Sequence, residues 1–161
     1  MTNTFKVVEI NWEEIKTIWD TELWPGRDSK QTNNWAWCVD NPTEFTTSKW
    51  QTQWSVPLFL GVHDIDGQTV GVNSVYQSSE DGMYYRSRGL YVTPSFRKRG
   101  IAQLLLKASV DWARERDCSK YLFTAPRKSA IPAYEAAGFI VHGRLFEATR
   151  RGDNFIASIT L

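Results

Sequence analysis

At Ser95–Leu106, SFRKRGIAQLLL, three cations and a glycine run straight into an apolar segment. Where such a junction starts a helix, the first backbone N–H groups have no partner and the helix dipole adds partial positive charge, so an anion is held favourably. A residue without Cβ at Gly100 lets the backbone come close to a phosphate, and Arg97, Lys98 and Arg99 can add charge-assisted contacts. The stretch suits a diphosphate. By residue type alone it reads equally as a solvated cluster at a loop–helix junction. Arg86 and Arg88, two apart in a β-rich run, share a face and offer two cations to a carboxylate or phosphate, or else pair with acids on neighbouring strands. As proton acceptors the chain offers Glu80 and Asp81, which beside Gly82 also read as a turn, and the lone strand histidines His63 and His142, which also read as structural. Trp24, Trp35, Trp37, Trp50 and Trp54 either line an aromatic pocket for a cation or ring, or fill a core.

These residues need elements to position them. FKVVEI (Phe5 to Ile10) reads as a strand, and Asn11 to Trp24 as a helix capped by Asn11, with Trp12, Ile15, Trp19 and Leu23 at helical spacing and Ile18 beside them. Pro25 and Gly26 end it, and periodicity fades from Arg27 to Pro57 into short helices and loops. Two β-runs about Ile65-Asp66-Gly67-Gln68 make a hairpin, with Asp-Gly at the positive φ angles of a tight turn. Tyr84 to Val92 is a further strand ended by Pro94. From Gly100 a helix presents Ile101, Leu104, Leu105, Ala108 and Trp112 to the sheet. A strand from Tyr121 to Ala125, a short helix from about Ser129 to Ala137 closed by Gly138, and strands Phe139 to Leu145 and Asn154 to Leu161 complete the chain. The order predicts a mixed α/β (α+β) fold, with helices on both faces of one sheet.

Composition bounds what such a fold does. At 161 residues, with 42% hydrophobic and 23% charged, the chain fits one domain over residues 1–161 with a substantial core. A net charge of +1 provides no field for nonspecific nucleic-acid binding, and one short RKR patch makes few phosphate contacts. There is no run of about 18 apolar residues and no leader-like N-terminus, so the reading is a soluble, unexported protein with no membrane partner. Cys38 and Cys118 form no CxxC pair, which argues against a disulfide framework or zinc site and for a reducing cytoplasm.

RKRGIA resembles the (Q/R)-x-x-G-x-(G/A) signature of the GCN5-related N-acetyltransferases (GNAT), with Arg97, Gly100 and Ala102 at the specified places. One strand and one helix later, YEAAGF (Tyr134 to Phe139) is similar to that family's Y-E-x-x-G-F segment. The resemblance covers nearly the whole chain and is weakest over Asp28 to Pro57. It implies a central mixed, mostly antiparallel sheet of six to seven strands. It also implies acetyl-CoA as cosubstrate and direct attack by a primary amine of a small molecule or peptide, giving an amide and free CoA. A noncatalytic acyl-CoA-binding or regulatory module is the alternative, and a homodimer is left open.

Carried over position by position, the resemblance gives the diphosphate to the backbone of Arg97, Lys98, Arg99, Gly100, Ile101 and Ala102. Leu90, Tyr91 and Val92 take the pantetheine arm, and the Leu90 N–H becomes the donor that polarises the acetyl carbonyl. Losing such a donor costs on the order of 3 kcal/mol. Tyr134 becomes the acid that protonates the departing thiolate, or a packed tyrosine that anchors its helix.

Two positions depart from the pattern. Histone-acetylating relatives carry a glutamate base eleven residues before the motif, where this chain has Arg86, and many relatives have Asn where this chain has Arg127. A carboxylate base on the strand is thereby excluded, and Arg86 points to an acceptor with an anionic group near its amine. A lysine-like amine is neutral in only about one molecule in 10³ to 10⁴ at pH 7, a cost of roughly 4 to 5 kcal/mol, whereas a weakly basic amine needs no strong base.

Overall fold

The computed structural model describes residues 4–23, 25, 57–77, 84–116, 121–124, 130–144 and 155–161. Seven strands form one sheet: β1 (Lys6–Glu9), β2 (Leu58–His63), β3 (Thr69–Gln77), β4 (Tyr84–Val92), β5 (Tyr121–Thr124), β6 (Ile140–Arg144) and β7 (Phe155–Thr160), in the order β1-β2-β3-β4-β5-β7-β6. Every pairing is antiparallel except β4 with β5, whose parallel register spans only Tyr84↔Tyr121 to Arg86↔Phe123. Parallel neighbours need a crossover, and α2 (Ile101–Glu115) supplies it.

Alternation along the strands sends apolar side chains to both faces. On β2 and β3, Phe59, Val72 and Tyr76 join Trp12, Ile15 and Trp19 on one face. Leu60, Val62, Val70 and Val75 go to the other, against Ile101, Leu105, Leu106 and Val110 of α2. Helix α3 (Ile131–Ala136) lies on that second face, with Tyr134 in the same cluster as Leu106.

The first helix departs from its sequence pattern. Asn11 caps α1 (Trp12–Ile18) as its type predicts, its Oδ1 accepting the Glu14 N–H at 2.8 Å, a cap worth about 1 kcal/mol. Instead of continuing as α-helix to Trp24, the chain widens into a π turn over Trp19–Leu23. Two threonines flank the change: Thr17 Oγ1 donates to Glu13 O at 2.9 Å and Thr21 Oγ1 to Thr17 O at 2.7 Å. Back-bonding of this kind loosens helical turns, and apolar spacing does not register it.

Two smaller expectations are also corrected. In the β2–β3 hairpin only Gly67 has positive φ (80°). The loop is organised by Asp64, whose Oδ1 accepts the N–H groups of Asp66 and Gln68, both at 2.9 Å. The buried face of α2 is Ile101, Leu105, Leu106, Ser109, Val110 and Ala113, turned from the predicted stripe. Leu104, Ala108 and Trp112 are only half-buried. The turn brings Ser109 inward because Ser109 has a polar partner there. Asn73 Nδ2 donates to its Oγ at 3.0 Å and to Ser87 Oγ at 2.7 Å, and Ser109 Oγ donates to Leu105 O at 2.8 Å.

Candidate active site

The motif residues lie along one continuous path: strand β4, a short loop, and the start of α2. The strand is interrupted where a glycine interior to a strand would mark a bulge. Arg88 pairs with Ser74 and Tyr91 with Val72, so Gly89 and Leu90 together stand opposite the single residue Asn73. Gly89 has φ +80°, and the Leu90 amide falls outside the register on both sides, since the β5 pairing stops at Arg86. The side chain of Leu90 packs toward α2, in contact with the clusters holding Leu105 and Leu106.

Five side chains hold the bulge. Trp19, fully buried, donates Nε1–H to Gly89 O at 2.9 Å. Ser74 Oγ donates to Arg88 O at 2.7 Å, and the Asn73–Ser87–Ser109 bonds lie on the α2 side. Sequence reasoning named Trp19 only as an apolar position of the first helix and did not name the others. The signal available was Gly89 itself, interior to the β-run Tyr84 to Val92.

Beyond β4, Thr93 N–H donates to Val70 O at 2.9 Å, and Pro94–Phe96 makes a 3-10 turn. Lys98 (φ 64°) and Gly100 (φ 82°) are left-handed. Gly100 is the N-cap of α2, which has no side-chain cap, and Leu104 N–H closes the first turn on Gly100 O at 3.1 Å. The amides of Ile101, Ala102 and Gln103 therefore have no partner within the helix. Arg97, Lys98, Arg99 and Gly100 are exposed around them. Arg97 also braces the strand end, its Nε donating to Val92 O at 2.9 Å and its guanidinium lying 5.6 Å from the Tyr91 ring centroid, while Arg99 sits 5.0 Å from that of Phe96.

This junction fits the diphosphate of acetyl-CoA: uncapped amides, exposed cations and open space at one place. Gly100 has a second reason to be glycine beside the close approach of a phosphate. A Cβ there would meet no protein atom within 4 Å, and the left-handed backbone itself favours glycine. Bound there, acetyl-CoA supplies the acetyl group as a reactive thioester.

Tyr134 is 4% exposed, its ring edge-on to Phe139 at 5.4 Å between centroids. Ala130 and Ala137 flank it at the edge of the same cluster. Arg86 and Arg88 share the α1 face. Arg86 is half-buried, and Arg88 is buried with its guanidinium 5.8 Å from the Trp19 ring centroid. A cleft of about 310 Å³ between the π turn and the end of β4 is lined by Glu22, Thr69, Tyr91 and Thr93 among others. His63 is half-buried at the end of β2. Glu80, Asp81, Arg127, both cysteines, Trp24, Trp35, Trp37, Trp50, Trp54 and the side chain of His142 lie outside the described residues. Among the described residues no cluster of three or more His, Cys, Asp or Glu is placed to hold a metal, and no helix is long and apolar enough to cross a membrane.

Comparison with known proteins agrees with this arrangement. The acetyltransferase (GNAT) family model matches residues 15–139. No curated protein matches in sequence. Among solved structures, a GNAT-family acetyltransferase from Staphylococcus aureus Mu50 superposes with a TM-score of 0.68 at 17% identity, covering 98% of this chain and 99% of that one. Ard1 from Thermoplasma volcanium gives 0.68 at 14% identity, covering 99% of each chain. A GNAT superfamily phosphinothricin acetyltransferase from Sinorhizobium meliloti, solved in complex with AcCoA, gives 0.65 at 15%, covering 99% of this chain and 89% of that one. Those structures share its fold. With the family model matched over most of its length, the chain belongs to the GNAT family and is an acyl-CoA-dependent N-acetyltransferase with acetyl-CoA as cosubstrate.

Proposed function

We propose that the protein, acting as one catalytic domain, moves an acetyl group to the primary amine of a small molecule or peptide that carries an anionic group near that amine. The observation that carries the reading is the unbroken path from the Gly89–Leu90 bulge through the left-handed loop to the uncapped start of α2. The amides of Arg97 to Ala102 hold the diphosphate, and Leu90, Tyr91 and Val92 line the pantetheine arm. The Leu90 N–H donates to the acyl oxygen as negative charge develops there, an effect that needs the donor fixed beforehand. Tyr134 delivers the proton to the leaving sulfur. Arg86 meets the anionic group of the acceptor, and Arg88, buried behind it, adds positive charge on the same face.

Acceptor charge is the direct test. In a thiol-release assay with acetyl-CoA, carboxylated or phosphorylated amines turn over and polyamines such as spermidine do so poorly. Efficient acetylation of spermidine with the anionic amines inert would overturn the assignment of Arg86. Loop geometry has its own check. Gly100→Val forces a β-branched residue into the left-handed region, at roughly 1 to 2 kcal/mol or more, and distorts the cap. Acetyl-CoA affinity measured by calorimetry therefore drops about tenfold or more, and equal affinities for variant and parent would remove the loop from the binding site.

A further inference from the structure

The bulge on β4 is held by a contact that the family signature does not contain. Trp19, in the π turn that follows α1, donates its indole N–H to Gly89 O at 2.9 Å, and the ring edge occupies the place where a side chain at residue 89 would be. A peptide unit is planar and trans, so the carbonyl of residue 89 and the N–H of residue 90 belong to one rigid plate and point in opposite directions. Whatever fixes Gly89 O fixes Leu90 N–H. Donation to the carbonyl also draws electron density toward oxygen and leaves the N–H at the other end a stronger donor, an effect of about 10–30% per bond in hydrogen-bond chains.

We infer that Trp19 is a positioning residue for acyl transfer, its indole N–H aiming and polarising the Gly89–Leu90 peptide whose N–H faces the acyl oxygen. The inference rests on the reading that Leu90 supplies that donor. Trp19 itself touches neither acyl group nor amine; it acts through one peptide plane. The position is well anchored: Trp19 is fully buried, edge-on to Trp12 with ring centroids 6.0 Å apart. Ser74 Oγ restrains the preceding carbonyl, that of Arg88, so that the plate can rotate little on its other side.

The test reads the acyl carbonyl as well as turnover. Acetyl-CoA labelled with ¹³C at the acetyl carbonyl is bound to parent protein and to Trp19→Phe, and the carbonyl stretch is followed by isotope-edited infrared difference spectroscopy without acceptor. In the parent the stretch falls below its value in solution. In Trp19→Phe it moves back toward that value, kcat drops about tenfold, a part of the 10²–10³ lost when such a donor is removed outright, and KM for acetyl-CoA stays within twofold. Should Trp19→Phe fail to fold, benzothienylalanine at position 19 keeps the bicyclic ring and lacks only the N–H, and the same shifts are expected. A parent stretch equal to that in solution overturns the Leu90 reading. A lowered parent stretch that the position-19 variants leave unmoved keeps Leu90 and overturns the role of Trp19.

Discussion

Tyr134→Phe lowers kcat by about 10² to 10⁴-fold, the usual worth of a positioned proton transfer, while the Kd for acetyl-CoA stays nearly constant. A departing thiolate needs a proton, and a phenol is protonated at neutral pH and able to give one. Position is what makes the hydroxyl effective, and the backbone around Tyr134 is firmly tied. Its carbonyl accepts the N–H groups of Ala137 at 3.1 Å and Phe139 at 3.0 Å, and Gly138 turns the chain at φ +96°. The ring is enclosed by a cluster that includes Tyr85, Leu106, Val110 and Phe139. Phenylalanine keeps those contacts and loses one oxygen, so the stability change stays within the roughly 1 to 3 kcal/mol of a buried hydrogen-bonding group. Anchoring alone predicts a different outcome. A folded Tyr134→Phe enzyme with unchanged turnover, under conditions where chemistry limits the rate, would leave Tyr134 as a packing residue and the proton donor as water.

Gly89→Ala carries the largest expected stability effect. Its Cβ would lie 2.3 Å from Cε2 and Cζ2 of the Trp19 ring, inside any real contact distance, and the residue would keep φ near +80°. The left-handed conformation costs an L-residue roughly 1 to 2 kcal/mol and overpacking a further 1 to 3 kcal/mol. Urea unfolding should therefore show a loss of about 2 to 5 kcal/mol. Relief requires either Trp19 to leave the π turn or the bulge to flatten, and each displaces the Leu90 amide, so the folded fraction should also lose turnover. A Gly89→Ala protein within about 0.5 kcal/mol of the parent would mean that the indole does not fill the glycine's side-chain space, and the packing described for the bulge would be wrong.

Most of the fold is visible in the amino-acid pattern because it rests on signals that act locally. The apolar run before the turn at Ile65–Gln68 and the run Tyr84–Val92 become strands as expected, Asn11 marks a helix start, and the glycine after RKR marks another. The departures occur where a distant partner decides. Ser109 reads as a surface residue on a helical wheel and is buried because Asn73 meets it from β3. Trp19 reads as one more apolar position on α1, yet its place depends on a glycine 70 residues away. The uncapped, cation-bearing start of α2 was legible, since unpaired amides and cations are consequences of sequence. The left-handed backbone at Gly100 was not, because close approach to a ligand and backbone hand predict the same residue. Substrate choice was the least legible: Arg86 and Arg88 share a face by strand parity alone, whereas the indole beneath Arg88 comes from another element.

The parallel seam between β4 and β5 has a mechanical meaning. Three residue pairs, Tyr84 to Arg86 with Tyr121 to Phe123, join the two antiparallel halves of the sheet, and β4 then runs six residues further to Val92 with no β5 partner among the described residues. At about 3.3 Å per residue that length, paired on its other side with β3, reaches roughly 20 Å beyond the seam. A rotation of about 5° at the pivot would carry the far end of the strand ~1.7 Å, more than the tolerance of a hydrogen bond. The pivot is packed by Tyr85 and Leu122, which share a cluster with Val110 and Ala157. Side chains packed in the core at the seam thus set the gauge of the whole site.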